Sequence, residues 1–139
     1  MGIEHKKLKR LTFTLASNQF QCQISNWRLV NNTEPGEKFY TFCGPEETGE
    51  FREDAEQDWS LELTFFSDWQ LNGINDYLTT NDQATVGYVI DHHVGEAGWQ
   101  TRRTGQVKIM APSAGGEART TETTEITLPC IGKPTYARL

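Results

Sequence analysis

The stretch from Asp58 to Asp91 changes its hydrophobic period twice, and this constrains the fold more than any other feature of the chain. Trp59, Leu61, Leu63 and Phe65 alternate with Ser60, Glu62, Thr64 and Phe66, the period-two pattern of a strand with one buried face. Leu71, Ile74 and Leu78 then recur at i, i+3 and i+7 with Tyr77 beside them, which is helical spacing. Ser67 or Asp68 is placed to cap the helix start and Asn81 to end it, while Gly73 inside weakens it by roughly 1 kcal/mol relative to Ala. Such a helix has to dock its apolar stripe onto a sheet. Thr85, Val86, Tyr88, Val89 and Ile90 then resume strand composition.

The remainder reads as strand and loop. Leu8, Leu11, Phe13 and Leu15 predict a first strand, Ala16–Gln19 a turn, and Phe20–Val30 a second strand forming a hairpin with the first. Asn31–Gly36 is turn-rich, and Phe39, Tyr40, Phe42 and Cys43 predict a short third strand. Asp91–Arg103, with Gly95 and Gly98, reads as a loop that Trp99 can anchor. Gly105–Met110 reads as a strand, Ala111–Gly116 as a turn, Thr120–Leu128 as a last strand, and Pro129–Leu139 as an irregular tail. About seven strands and one helix over 139 residues predict a single, mainly β domain spanning residues 1–139. Its expected form is an antiparallel sandwich or partly closed barrel with one flanking helix.

Charge is unevenly distributed. The net charge is -6, and the predicted loop from Gly44 to Asp58 holds Glu46, Glu47, Glu50, Glu53, Asp54, Glu56 and Asp58 against Arg52 alone. A structureless stretch of that length is usually functional or disordered. It reads either as a solvated loop or as a segment that orders against a partner, and Phe51 among the charges favours the second. The start of the chain is opposite in sign, with Lys6, Lys7, Lys9 and Arg10 against Glu4. On a strand edge, such lysines also discourage unwanted pairing.

Several function classes lack their signatures. No Gly-x-Ser-x-Gly elbow, His-Glu-x-x-His, dinucleotide fingerprint or Walker loop is present. A carboxylate pair on an exposed loop has no apolar surroundings to raise a pKa for acid catalysis. No enzyme activity, cofactor or metal is therefore expected. His92 and His93 are adjacent, and on an extended segment their side chains point to opposite faces, so they do not form one site. Cys22, Cys43 and Cys130 read as buried, reduced thiols, since none sits in a Cys-x-x-Cys pair. The acidic balance argues against a nucleic-acid binder. No apolar run approaches the ~20 residues of a membrane span, and Met1–Arg10 has no apolar core of a secretory signal, so a cytoplasmic site of synthesis is expected.

Opposite charge patches on one subunit permit head-to-tail contacts that close into rings or grow into filaments. The chain also resembles the major tail tube proteins of bacteriophages with long, non-contractile tails. The resemblance is carried by the Trp59 strand running into Asp68-Trp69 and the Leu71–Leu78 helix, by the Thr85–Asp91 strand, and by Gly105-Gln-Val-Lys-Ile-Met110. It continues in Ala111-Pro-Ser-Ala-Gly-Gly116 and in Ile126-Thr-Leu-Pro-Cys-Ile-Gly-Lys-Pro134; over residues 1–57 it is one of general shape.

The resemblance implies a virion protein assembled in the bacterial cytoplasm. Hexameric rings would join their sheets into an inner barrel and stack into a tube that DNA traverses without specific binding. Tape-measure, tail terminator and baseplate proteins would be its partners, with no membrane contact. A long loop between early strands would reach a neighbouring subunit, and Gly44–Asp58 lies where that loop belongs. The charge asymmetry, not the resemblance, predicts that Lys6, Lys7, Lys9 and Arg10 meet the acidic loop of a neighbouring subunit or ring, at Glu46, Glu47, Glu50, Phe51, Glu53, Asp54 and Glu56. Two alternatives are a tail terminator that forms a single ring and a β-sandwich ligand-binding module stacking its ligand on Trp27, Trp69 or Trp99.

Overall fold

A computed structural model describes residues 3–42 and 49–139. Among these residues nine strands and one helix follow in order: β1 (Leu11–Leu15), β2 (Asn18–Gln19), β3 (Ile24–Asn31), β4 (Lys38–Tyr40), β5 (Glu50–Arg52), β6 (Trp59–Phe66), α1 (Ile74–Thr80), β7 (Thr85–His92), β8 (Thr101–Lys108) and β9 (Thr123–Arg138). Seven of the strands form one antiparallel sheet in the order β2-β1-β7-β8-β9-β6-β3, curled into a half-barrel. The β4–β5 pair stands apart as a two-stranded ladder. The chain is thus mainly β with one helix, as its patterning predicts.

Alternation decides which side chains fill the concave face. Leu61, Leu63 and Phe65 of β6 are buried while Phe66 is half exposed, and Phe13, Leu15, Tyr88, Ile90, Val107 and Leu128 join them from the other strands. Ile74 and Leu78 of α1 complete the cluster. Burial of such side chains stabilises the fold by roughly 1.5–3 kcal/mol each, which is enough to hold a helix of two turns. Leu71 is not part of that stripe: it precedes the helix and is 86% exposed. Gly73 is the N-cap rather than an interior residue, so the expected helix penalty does not arise. Asn81 ends the helix as expected, its amide N–H donating to the Tyr77 carbonyl.

Helix and sheet are also joined by a buried polar chain. Fully buried Asn75 accepts from the Asp68 amide (2.7 Å) and donates to Thr124 Oγ1 (3.0 Å), and the Thr124 hydroxyl is 2.8 Å from Ser67 Oγ. Both ends of the Asn75 amide are therefore satisfied without water.

Three sequence expectations are corrected. First, β1 turns through Ala16 and Ser17 into the two-residue β2, whereas β3 crosses to the far end of the sheet and pairs with β6, register Trp27↔Leu63. Cys22 lies in the turns between β2 and β3 and is exposed, not buried in a strand. Cys130 is half-buried, 4.0 Å from the Tyr88 hydroxyl, and burial pushes its thiol above the ordinary value. Cys43 lies outside the described residues.

Second, residues 129–138 are not an irregular tail but the second half of β9, and Leu139 alone lies beyond it. Thr123–Pro129 pair with β6 and Cys130–Arg138 with β8, and no residue of β9 pairs with both. Paired on one flank at a time, the strand accommodates Pro129 and Pro134, which lack an N–H to donate. Gly132, at φ 75°, takes up the bend opposite a register shift between Thr104 and Gln106. Third, β7 reaches His92 and β8 begins at Thr101, so the intervening loop is shorter than expected.

Candidate assembly surfaces

From Gly49 to Asp58 the acidic segment is not a plain loop but one side of an arm. β3 and β6 pair up to Asn31↔Trp59, and the chain between them continues as two adjacent segments. The Asn32 amide donates to the Asp58 carbonyl (2.7 Å), the Asp58 amide to Thr33 Oγ1 (2.9 Å) and the Glu53 amide to the Glu37 carbonyl (2.9 Å). Further out, β4 and β5 pair with Phe39↔Phe51, and the Thr41 amide donates to the Gly49 carbonyl (2.9 Å). Backbone hydrogen bonds thus join the two described segments of the arm along its length.

Its side chains are not satisfied in the same way. Tyr40 is 72% exposed, Phe42 fully exposed and Phe51 half exposed. The Phe51 ring stacks on Phe39 at 5.4 Å, which gives it a partner within the arm. Glu50 pairs with Lys38 at 2.8 Å, and hydrogen bonding to Glu50 raises the Lys38 pKa above its ordinary value. Glu53, Asp54 and Glu56 line a cleft of ≈ 640 Å³ at the base of the arm, together with Glu34 and Asp58. Arg52 does not neutralise them by direct pairing; its Nη1 donates to the Gly36 carbonyl at 2.9 Å. Glu46 and Glu47 lie outside the described residues.

The sheet has two further surfaces suited to pairing. Among the described residues β3 pairs with β6 alone, and each half of β9 has one partner, so one flank of each carries open backbone groups. Such flanks are templates for strands of another chain.

The N-terminal segment, residues 3–10, is exposed and lies outside any strand or helix ahead of β1. Lys6 lies 3.8 Å from Glu96 and 5.9 Å from the centroid of the Trp99 ring, so it is engaged within the subunit. Arg10 and Lys9 border a small recess with Val94, Gly95 and Glu96, and Lys7 is exposed. The described parts of the two expected charge clusters are thus not ion-paired with each other within one subunit.

A further cluster was not anticipated from spacing. His92 and His93 stack with ring centroids 4.1 Å apart, because His93 adopts φ 54° and abandons the alternation of a strand. Trp27 meets His92 edge-on (5.0 Å) and Trp99 meets His93 likewise (5.3 Å). His93 Nδ1 lies 2.8 Å from Glu96, and Arg103 Nη1 lies 3.4 Å from His92 Nδ1. Burial first, then the charges of His93 and Arg103, hold His92 below its ordinary pKa. Only the left-handed turn at His93 brings the pair together, and no residue pattern announced it.

Trp69, the third candidate stacking platform, donates its indole N–H to Glu122 at 2.9 Å. The Gly115 amide donates to the same carboxylate and, as the largest influence, holds it below the usual carboxylate range. Among the described residues no group of three or more His, Cys, Asp or Glu is placed to hold a metal ion. Among them too, no helix is long and apolar enough to cross a membrane. No family model matches the chain, and no curated protein matches it.

Proposed function

We propose that the chain is a structural subunit of a bacteriophage tail tube, assembling into stacked, hexameric rings that form a conduit for DNA. The observation that carries this reading is the arm built from residues 32–42 and 49–58, whose two segments hydrogen-bond to each other yet present Tyr40, Phe42 and Phe51 to solvent. Exposed aromatic side chains gathered on a projecting element are the signature of a contact made with another molecule. The open flanks of β3 and β9 support the same reading, since a half-barrel can be completed by strands of a neighbour. A net charge of -6 suits a conduit, because lysine and arginine in a lumen would hold phosphates in passage. The subunit's partners are then other copies of itself, with tape-measure, terminator and baseplate proteins at the ends. Its place is the virion tail, and its role is architectural rather than enzymatic.

The test is excision of the arm. Asn31 and Trp59 are already cross-strand neighbours, so residues 32–58 can be replaced by a two-residue Asn-Gly turn that keeps the β3–β6 register. The expected result is a folded monomer that no longer polymerises. Tubes of normal appearance from this variant would refute the role given to the arm.

A further inference from the structure

The recess beside the stacked histidines gathers cations that no acid in its lining matches. It encloses ≈ 340 Å³, with His92 and His93 at its base and Trp99, Thr101, Arg103 and Arg138 around it. Arg103 spends Nη1 on Thr101 Oγ1 (2.9 Å), and its guanidinium lies 5.3 Å from the Tyr136 ring centroid. Arg138 spends Nη1 on the Gly98 carbonyl (2.8 Å). Among the described residues neither arginine has a carboxylate within ion-pair reach, and Glu96 is already engaged by His93 and Lys6. A guanidinium carries five donors, so both arginines retain several for an oxyanion.

Because arginine can only donate, its contact with His92 leaves the lone pair on Nδ1 and the proton on Nε2, a buried nitrogen with no hydrogen-bond partner among the described residues. In either tautomer the imidazole brings no negative charge to the recess. The opposite surface exists on the same chain: the arm-base cleft gathers Glu53, Asp54 and Glu56 with Arg52 turned to the backbone.

We infer that the recess bounded by Arg103 and Arg138 receives the arm carboxylates Glu53, Asp54 and Glu56 of a second copy of this chain. The identity of that partner rests on the tube reading. The contact joins two different surfaces, so it is heterologous and propagates from copy to copy. Bidentate guanidinium–carboxylate pairing would fix its register as well as its strength. Lys6 stands at the margin of this contact, bracing the Trp99 wall.

A charge-swap experiment tests it. One variant reverses the recess (Arg103→Glu, Arg138→Glu), the other the arm (Glu53→Lys, Asp54→Lys, Glu56→Lys). Each variant alone sets like charge against like and is expected to stay monomeric in sedimentation, whereas an equimolar mixture restores both contacts and associates. A neutral pair, Arg103→Gln with Arg138→Gln, guards against misfolding; it should melt like the parent and self-associate about 30-fold more weakly or worse. Discrete complexes from the mixture, without tubes in electron micrographs of mixture or parent, would sustain the recess contact and overturn the tube reading. Tubes from the recess-reversed variant alone would overturn the recess contact and leave the tube reading standing. A mixture as inert as its components, from a parent that does polymerise, would also overturn the recess contact and leave its arginines to a small anion or to no ligand. An inert parent and an inert mixture would overturn both.

Discussion

Tyr88 of β7 lies across Gly105 of β8, and a Cβ on that glycine would come within 2.8 Å of the tyrosine hydroxyl oxygen and 3.0 Å of Cζ. The ring is buried to 1% exposure, wedged against Cys130, and burial pushes its hydroxyl pKa far above the ordinary value. The ring has nowhere to retreat, so the closeness is a demand for glycine at position 105.

Gly105→Ala is therefore expected to destabilise the fold by about 1–3 kcal/mol, the usual cost of overpacking. Since the nearest atom is the hydroxyl oxygen, Tyr88→Phe should recover part of that loss in the double variant. Chemical denaturation of the four proteins gives the coupling. Strictly additive losses would mean that the two side chains do not press on one another.

The turn between β1 and β2 holds Ala16 at φ 48° and Ser17 at φ 76°, a conformation that costs L-residues roughly 1–2 kcal/mol each. Asn-Gly suits that turn. Replacing both residues should raise stability by about 1 kcal/mol in thermal or denaturant melts, and a loss of stability would show that the turn is held differently.

His92 makes stability depend on pH. Its folded-state pKa lies below the ordinary 6.5, mainly through burial and then through His93 and Arg103, with Glu96 opposing. In the unfolded chain the imidazole takes up its proton first, so the unfolded state binds more protons as pH falls below about 6.5. Stability is full above that value and declines as pH falls toward the folded pKa. The decline should be shallower in His92→Gln than in the parent when melts are compared between neutral and mildly acidic pH. An identical slope in both would remove His92 from the account.

The strand–helix–strand core was legible because burial there follows the period: Leu61, Leu63 and Phe65 face in, and Ile74 and Leu78 meet them. Leu71 misled because matching spacing does not ensure that a residue lies within the helix. The last eleven residues misled for a different reason. Pro129, Gly132 and Pro134 are punctuation in a strand paired on both flanks, yet they are tolerated where β9 is paired on one flank at a time. The charge clusters were visible in composition, but that Lys6 is engaged by Glu96 and Trp99, and that His92 and His93 share a site, depends on backbone turns that composition does not encode. The arm was visible as a long acidic segment, and its ladder was hidden by the brevity of β4 and β5, three residues each.

Whether the chain builds a tube is decided by electron microscopy of the purified full chain, concentrated stepwise and viewed in negative stain. Long hollow tubes with a regular axial repeat are expected, absent from the arm-excised protein at the same concentration. A parent chain that stays monomeric at every concentration, or that stops at single rings, would contradict the tube reading.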